Sequence, residues 1–285
     1  MDTPNTLYAF YQQRAQSLIE RTNAAREHLT DERIRRVRVG IKRLRALFQL
    51  MQLIRPRLFQ SRRHERVVRK LFKRAGCVRD CQVSQDALPH MAVPAEVKKQ
   101  YRHFLEVRER KARKKLKKAL KRFQKKDLKP AAKLIRRIGR QVSPTKIDGR
   151  LRTFIDLEAT AIETLQALAQ SSATTHEIRK HLKSLIDVGT LLMQLTTDDE
   201  LARMLTRAKQ VQTQLGNWHD KIVLLQHLEA FLATDDDLPA DTAGRLITRQ
   251  QQLTARQQQR SDQFSHSLTT LLNGLAPWRT MEQPT

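Results

Sequence analysis

Glycine and proline are scarce in this 285-residue chain, at 8 and 9 residues, so few positions can break a helix. Cysteine is scarcer. Cys77 and Cys81 are the only two, four apart on a predicted helix, and two reduced, partly buried thiols are the expected state. A metal site there needs further ligands, and none stands close in sequence, so neither a metal nor a cofactor is expected. Aromatic residues make up only 5% of the chain. No apolar run approaches the roughly 18 residues of a membrane span. Met1-Asp2-Thr3-Pro4 offers no basic segment leading into an apolar core, so no signal peptide is expected and the cytoplasm is the expected compartment. Strand alternation and hairpin dipeptides are missing too.

Positive charge is abundant, and it is unevenly placed. The chain holds 55 Lys and Arg against 29 Asp and Glu, a formal charge of +26. Divided between Ser143 and Pro144, the first part has 40 basic and 12 acidic residues and the second 15 and 17. One half therefore carries essentially all the net charge. Such a field opposes compaction and attracts polyanions, a phosphate lattice above all. The chain is nevertheless no disordered basic tail, because apolar residues recur with helical spacing even in its most basic stretches.

That spacing predicts helices near 5–27, 31–54, 58–75, 78–88 and 95–126. A mostly helical connector follows over 127–149. Further helices are predicted near 150–170, 175–195, 198–215, 218–232 and 239–274. Thr30 before Asp31 and Glu32 is a start signal, and Pro56, Pro89 and Pro94 mark breaks.

The two series repeat one another. Arg35-x-x-Arg38-x-x-x-Lys42-x-Leu44 has its counterpart in His176-x-x-Arg179-x-x-x-Lys183-x-Leu185. Gly76-x-x-x-Asp80-x-x-Val83 has its counterpart in Gly216-x-x-x-Asp220-x-x-Val223. Both matches fall at an offset of about 140 residues. The expected fold is all-α: two homologous helical bundles, 1–143 and 144–285, related by pseudo-two-fold symmetry, with a site at their seam.

On a helical wheel, Ile34, Val37, Ile41, Leu44, Phe48 and Met51 share the core face of the second helix. Arg35, Arg38, Lys42 and Arg45 form a stripe beside it. Arg62, Arg66, Arg69 and Lys73 form a comparable stripe on the next helix, opposite Val68, Leu71, Phe72 and Ala75. A charged stripe is ordinarily a solvated face with acidic partners one turn away. Here, between Asp31 and Asp80, only Glu32 and Glu65 are acidic. The unpaired like charges call for an anion. The basic run 108–126 wraps most of its helix and leaves Leu116, Ala119, Leu120 and Phe123 as a narrow apolar strip, so it reads equally well as a generic electrostatic surface. Asp80 and Asp220 read as caps or arginine partners rather than catalytic groups, and Trp218 as a core anchor.

These elements resemble the conserved histidine α-helical domain (CHAD) family. The resemblance rests on RRVRVGIKRLRALF (35–48), GCVRDCQV (76–83), HEIRKHLKSLID (176–187) and GNWHDKIV (216–223). It covers nearly the whole chain. It implies two helical bundles around a central basic channel, binding of inorganic polyphosphate, and association with polyphosphate granules. Carried over by position, the phosphate-facing set is Arg35, Arg38, Lys42 and Arg45 with His176, Arg179 and Lys183. Arg62, Arg66, Arg69 and Lys73 join it from the wheel. Arg35 stands where the first-half histidine is expected, and Lys183-Ser184-Leu185-Ile186 lacks the second half's double-basic ending. A site dominated by the first half is therefore expected.

Three functions compete. The leading one is non-catalytic polyphosphate binding. Sequence-independent nucleic-acid binding is the alternative, weakened because Phe48, Phe72 and Phe123 lie on core faces rather than on stacking platforms, and because no helix-turn-helix, zinc-finger or RNA-recognition signature appears. A polyphosphate-processing enzyme comes last. There is no P-loop, and only Asp80 and Asp220 offer carboxylates for metal-assisted phosphoryl transfer.

Overall fold

The computed structural model describes residues 3–91, 94–168, 171–193, 198–233 and 264–276, together with 244, 247–248, 251–252 and 255. Among the described residues the fold is all-α, without a strand. The helices are α1 (Thr3–Glu27), α2 (Asp31–Ile54), α3 (Ser61–Ala87), α4 (Ala95–Arg122), α5 (Lys129–Gly139), α6 (Pro144–Ala167), α7 (Ser172–Leu192) and α8 (Asp199–Leu232). A last helical stretch spans 264–274. Most of the helix expected over 239–274 lies outside the described residues.

Local chemistry fixes the boundaries. The Thr30 side chain accepts the Arg33 N–H at the start of α2, and Asp31 and Glu32 complement the helix dipole there. The helix ends at Ile54, because the residue before Pro56 is excluded from the helical region. The Ser143 side chain accepts the Lys146 N–H, with Pro144 in the first turn, so α6 starts six residues before the expected position 150. Asp198 caps α8 through the Leu201 N–H.

Two expected breaks do not occur. The segments 58–75 and 78–88 are one helix, α3, running through Gly76; 198–215 and 218–232 are likewise one helix, α8, running through Gly216. Glycine in a helix interior costs about 0.5–1 kcal/mol relative to alanine, too little to stop a long helix whose apolar face is buried. α1, α2 and α3 begin at Thr3, Asp31 and Ser61, and α6, α7 and α8 at Pro144, Ser172 and Asp199, so three long helices recur in the same order.

One apolar cluster runs through both series. It takes Ile34, Val37, Ile41, Leu44, Phe48 and Met51 from α2, as the wheel predicts, with Ile155 and Ile162 of α6, Leu182 and Leu185 of α7, and Trp218 of α8. A smaller cluster joins Tyr101 and Leu105 of α4 to Leu224, Leu228 and Phe231 of α8. The packing brings α2 against α7 and α3 against α8, the contacts that place the site.

Candidate functional site

Between α2 and α3 on one side and α6, α7 and α8 on the other lies a cavity of about 640 Å³. Eight Lys and Arg side chains line it: Arg38, Lys42, Arg45, Lys73 and Arg79 from α2 and α3, and Arg179, Lys180 and Lys183 from α7. Five carboxylates also line it, Asp80, Glu158, Glu177, Asp187 and Asp220, with His176, His181 and His219.

Seven of the eleven residues singled out in the sequence meet here: Arg38, Lys42, Arg45, Lys73, His176, Arg179 and Lys183. Arg35 lies outside. It is 68% exposed and pairs with Glu32 at 2.9 Å. Arg62, Arg66 and Arg69 are exposed on the first turns of α3, also outside the lining. The two scarce acids of this region are both engaged, since Glu65, only 8% exposed, accepts from Arg45 Nε at 2.8 Å.

Sequence reasoning overlooked Arg79, Lys180, His219 and Asp187 as lining residues. Three of them sit within or beside the repeated motifs, one helical turn from a residue already singled out. Asp187 lies one turn beyond Lys183, whose Nζ donates to it at 2.7 Å. Lys180 donates to Glu177 at 2.6 Å.

Arg38, Lys42 and Arg179 differ from these paired groups. None has an ion pair among the described residues. The Arg179 Nε is buried and meets no hydrogen-bond acceptor. Arg38 lies over the Phe72 ring at 4.7 Å, with Arg45 over the same ring at 5.5 Å. Its guanidinium also uses the space that the missing Gly76 side chain leaves, since a Cβ there would stand 2.9 Å from Arg38 Nη1.

The electrostatics record the crowding. Burial depresses Arg38, with Arg79 and Arg179 adding to the effect and Asp80 opposing it. Burial also lowers Lys42, to about 8, and the neighbouring Lys183, Arg38 and Arg179 push it the same way against Asp187. His219 falls to about 4 through burial, then through Arg179 and His176, and is neutral at pH 7. His176, whose ring centroid is 5.6 Å from that of His219, is lowered by burial and by Lys180 and Arg179. Burial raises Asp80 and Asp220, Asp220 raises Asp80 further, and the surrounding arginines resist. Every one of these shifts in Arg, Lys and His disfavours the cation, and a bound anion would oppose them by favouring it.

Two further observations bear on the sequence reading. Cys77 and Cys81 are free thiols, and burial raises Cys81 to about 11. Among the described residues, no group of three His, Cys, Asp or Glu side chains is arranged to hold a metal ion.

Comparison with known proteins places this arrangement. No curated protein gives a significant sequence match. The CHAD domain from the plant Ricinus communis has the same fold, with a TM-score of 0.75, 17% identity, and 94% of this chain and 92% of that chain covered. PptA from Streptomyces chartreusis is also similar, with a TM-score of 0.68, 13% identity, and 96% and 100% covered. The profile of the CHAD domain matches residues 9–229, the span holding all four repeated motifs and every residue lining the cavity, and the chain therefore belongs to the CHAD domain family.

Proposed function

We propose that this protein binds inorganic polyphosphate in the cavity between α2, α3 and α7, without catalysing a reaction on it, and that its two helical series are repeats of one unit. The observation that carries this reading is the convergence of Arg38, Lys42 and Arg179 from facing helices, half-buried and with no carboxylate in ion-pair range among the described residues. A phosphate chain supplies oxygens in series, and each arginine offers a planar fork suited to them. Membership of the CHAD family supports the ligand class.

Binding proceeds by exchange. Phosphate oxygens take the donors of Arg38, Lys42 and Arg179, and compete with Asp187 for Lys183 and with Glu177 for Lys180. Counterions leave as the chain enters. The rings that a nucleic-acid base would need are not on offer: Phe72, the phenyl ring of the lining, is covered by two guanidiniums. A cytoplasmic location, with attachment to polyphosphate granules, fits this reading; no described helix is long and apolar enough to cross a membrane.

Calorimetric titration with polyphosphate, with RNA and duplex DNA as competitors, tests the proposal. Saturable binding that nucleic acids do not displace is expected. Arg38→Glu with Arg179→Glu should weaken it by about a hundredfold or more, since a hydrogen bond to a charged group contributes about 1.5–3 kcal/mol and 1.4 kcal/mol is tenfold. Arg62→Glu with Arg66→Glu, outside the lining, should change it by less than about threefold. Equal losses from both pairs would refute the cavity as the site. Mg²⁺-dependent phosphate release that disappears in Asp80→Ala would refute the non-catalytic reading.

A further inference from the structure

The densest positive charge in the molecule is not in the cavity. Ten exposed Lys and Arg residues lie between positions 110 and 126, on α4 and the turn after it, and no acidic residue interrupts them. α4 contributes nothing to the central cavity. The wheel explains the exposed face. The exposed cations from Arg110 to Arg122, Arg113 apart, occupy an arc of roughly 160° at about 100° per residue, opposite a strip made of Ala112, Leu116, Ala119 and Leu120. That strip is buried. Of the nearest acids, Glu109 and Asp31 hold Arg113 and Asp127 accepts the Gln124 N–H, while Glu106 stands one turn before Arg110 at the start of the ridge. Arg110, Lys111, Lys114 and Lys117 have no ion pair among the described residues, and they edge a groove of about 490 Å³ beside Leu29 and Val107.

We propose that the exposed face of α4 is a second, separate polyanion surface that docks on duplex DNA through its phosphates, without reading sequence. Charge alone would suit many polyanions; the shape and composition of the face decide among them. Every apolar residue of 110–126 is turned inward, Phe123 included, so no ring stacks on a single strand and no side chain inserts into a lipid surface. What remains is a straight, helix-wide ridge. From Arg110 to Arg122 it runs about 18 Å at 1.5 Å per residue. A helix about 10–12 Å across matches the B-DNA major groove, about 12 Å wide, with cations on both flanks within reach of the bordering phosphates. The A-form major groove of duplex RNA is too narrow to admit it. Lysine dominates the ridge, which suits point-charge contact rather than forked recognition of bases.

The inference does not depend on the polyphosphate reading, because the two surfaces share no residue. Fluorescence anisotropy of a labelled duplex DNA spanning two helical turns tests it, with titrations of short-chain polyphosphate run on the same proteins. Lys114→Glu, Lys117→Glu, Lys118→Glu and Lys121→Glu combined should weaken duplex DNA binding by at least about tenfold and flatten its salt dependence, by roughly 0.9 in the log–log slope for every phosphate no longer neutralised. The same four positions changed to Gln should act in the same direction, and these exposed sites leave the fold intact by circular dichroism. Arg38→Glu with Arg179→Glu should leave DNA affinity within about twofold. The proposal is overturned if wild-type protein does not bind the duplex, if duplex RNA or single strands bind as tightly, or if the cavity variant rather than the α4 variant loses DNA. Wild-type protein that binds the duplex but not polyphosphate would sink the proposed function alone.

Discussion

Lys42 shows how much one side chain can couple. Its ammonium is depressed to about 8, first by burial and then by neighbouring cations. The ordinary lysine value is near 10.5. In the empty protein, between these two values, the native lysine has shed its proton while the unfolded one keeps it. The fold therefore gains stability from this group as pH rises from about 8 to 10.5, and bears the full cost of the buried charge below that window. Anion binding has the opposite sign, because it needs the ammonium. Above pH 8 polyphosphate must bring a proton with it, and affinity should fall by up to about tenfold per pH unit. Calorimetry at pH 8.5 in two buffers of different ionisation enthalpy should reveal the uptake. Lys42→Arg, which cannot deprotonate, should bind well and lose the alkaline decline; a decline that persists would reassign the coupling to another group.

At the scale of the element, the repeated glycines part company. In α3 the missing side chain of Gly76 makes room for the Arg38 guanidinium, whereas nothing stands within 4 Å of the Cβ position of Gly216 in α8. Gly216→Ala should stabilise the protein by about 0.5–1 kcal/mol in denaturant unfolding and leave binding alone. Gly76→Ala meets only the far end of a flexible side chain, so it should cost little stability but displace Arg38 and weaken polyphosphate binding severalfold. Matching losses at both glycines would show that they serve the helices and not the site. The pair also explains what the sequence concealed. Reading a break at Gly76 divided one face of α3 into two. Joined, Phe72, Lys73, Gly76, Asp80 and Val83 follow a single helical stripe into the cavity. Periodicity assigns a residue to a face, but not to a distance along the axis. Arg38 and Arg62 look alike on a wheel, yet only Arg38 reaches the cavity lining, where α2 packs against α7.

For the whole molecule, the all-α fold, the core face of α2 and the meeting of the two motif sets were legible, because buried apolar residues enforce period and order. The electrostatics were legible only in sum. The surplus charge of the first half predicts a lopsided site; the lining takes five cations from that half and three, Arg179, Lys180 and Lys183, from the near-neutral second half. Much of the surplus lies instead on the exposed face of α4, away from the cavity. Net charge counts residues; a site depends on which helices cross.

The packing of α2 against α7 has one more consequence. Where these helices face each other, Arg38 and Lys42 oppose Arg179 and Lys183, so without ligand the join between the two series is held by apolar residues against its own repulsion. A phosphate chain laid there acts as mortar. Its abundance should be readable as durability: at a hundred times the dissociation constant the ligand adds about 2.7 kcal/mol to unfolding, seen as a higher melting temperature and slower proteolysis. The gain should be lost in Arg38→Glu with Arg179→Glu; a gain that persists there would mean that the chain binds away from this join. If the gain is found, a cell depleted of phosphate polymer would hold this protein in its most perishable form, and its level would fall with that supply.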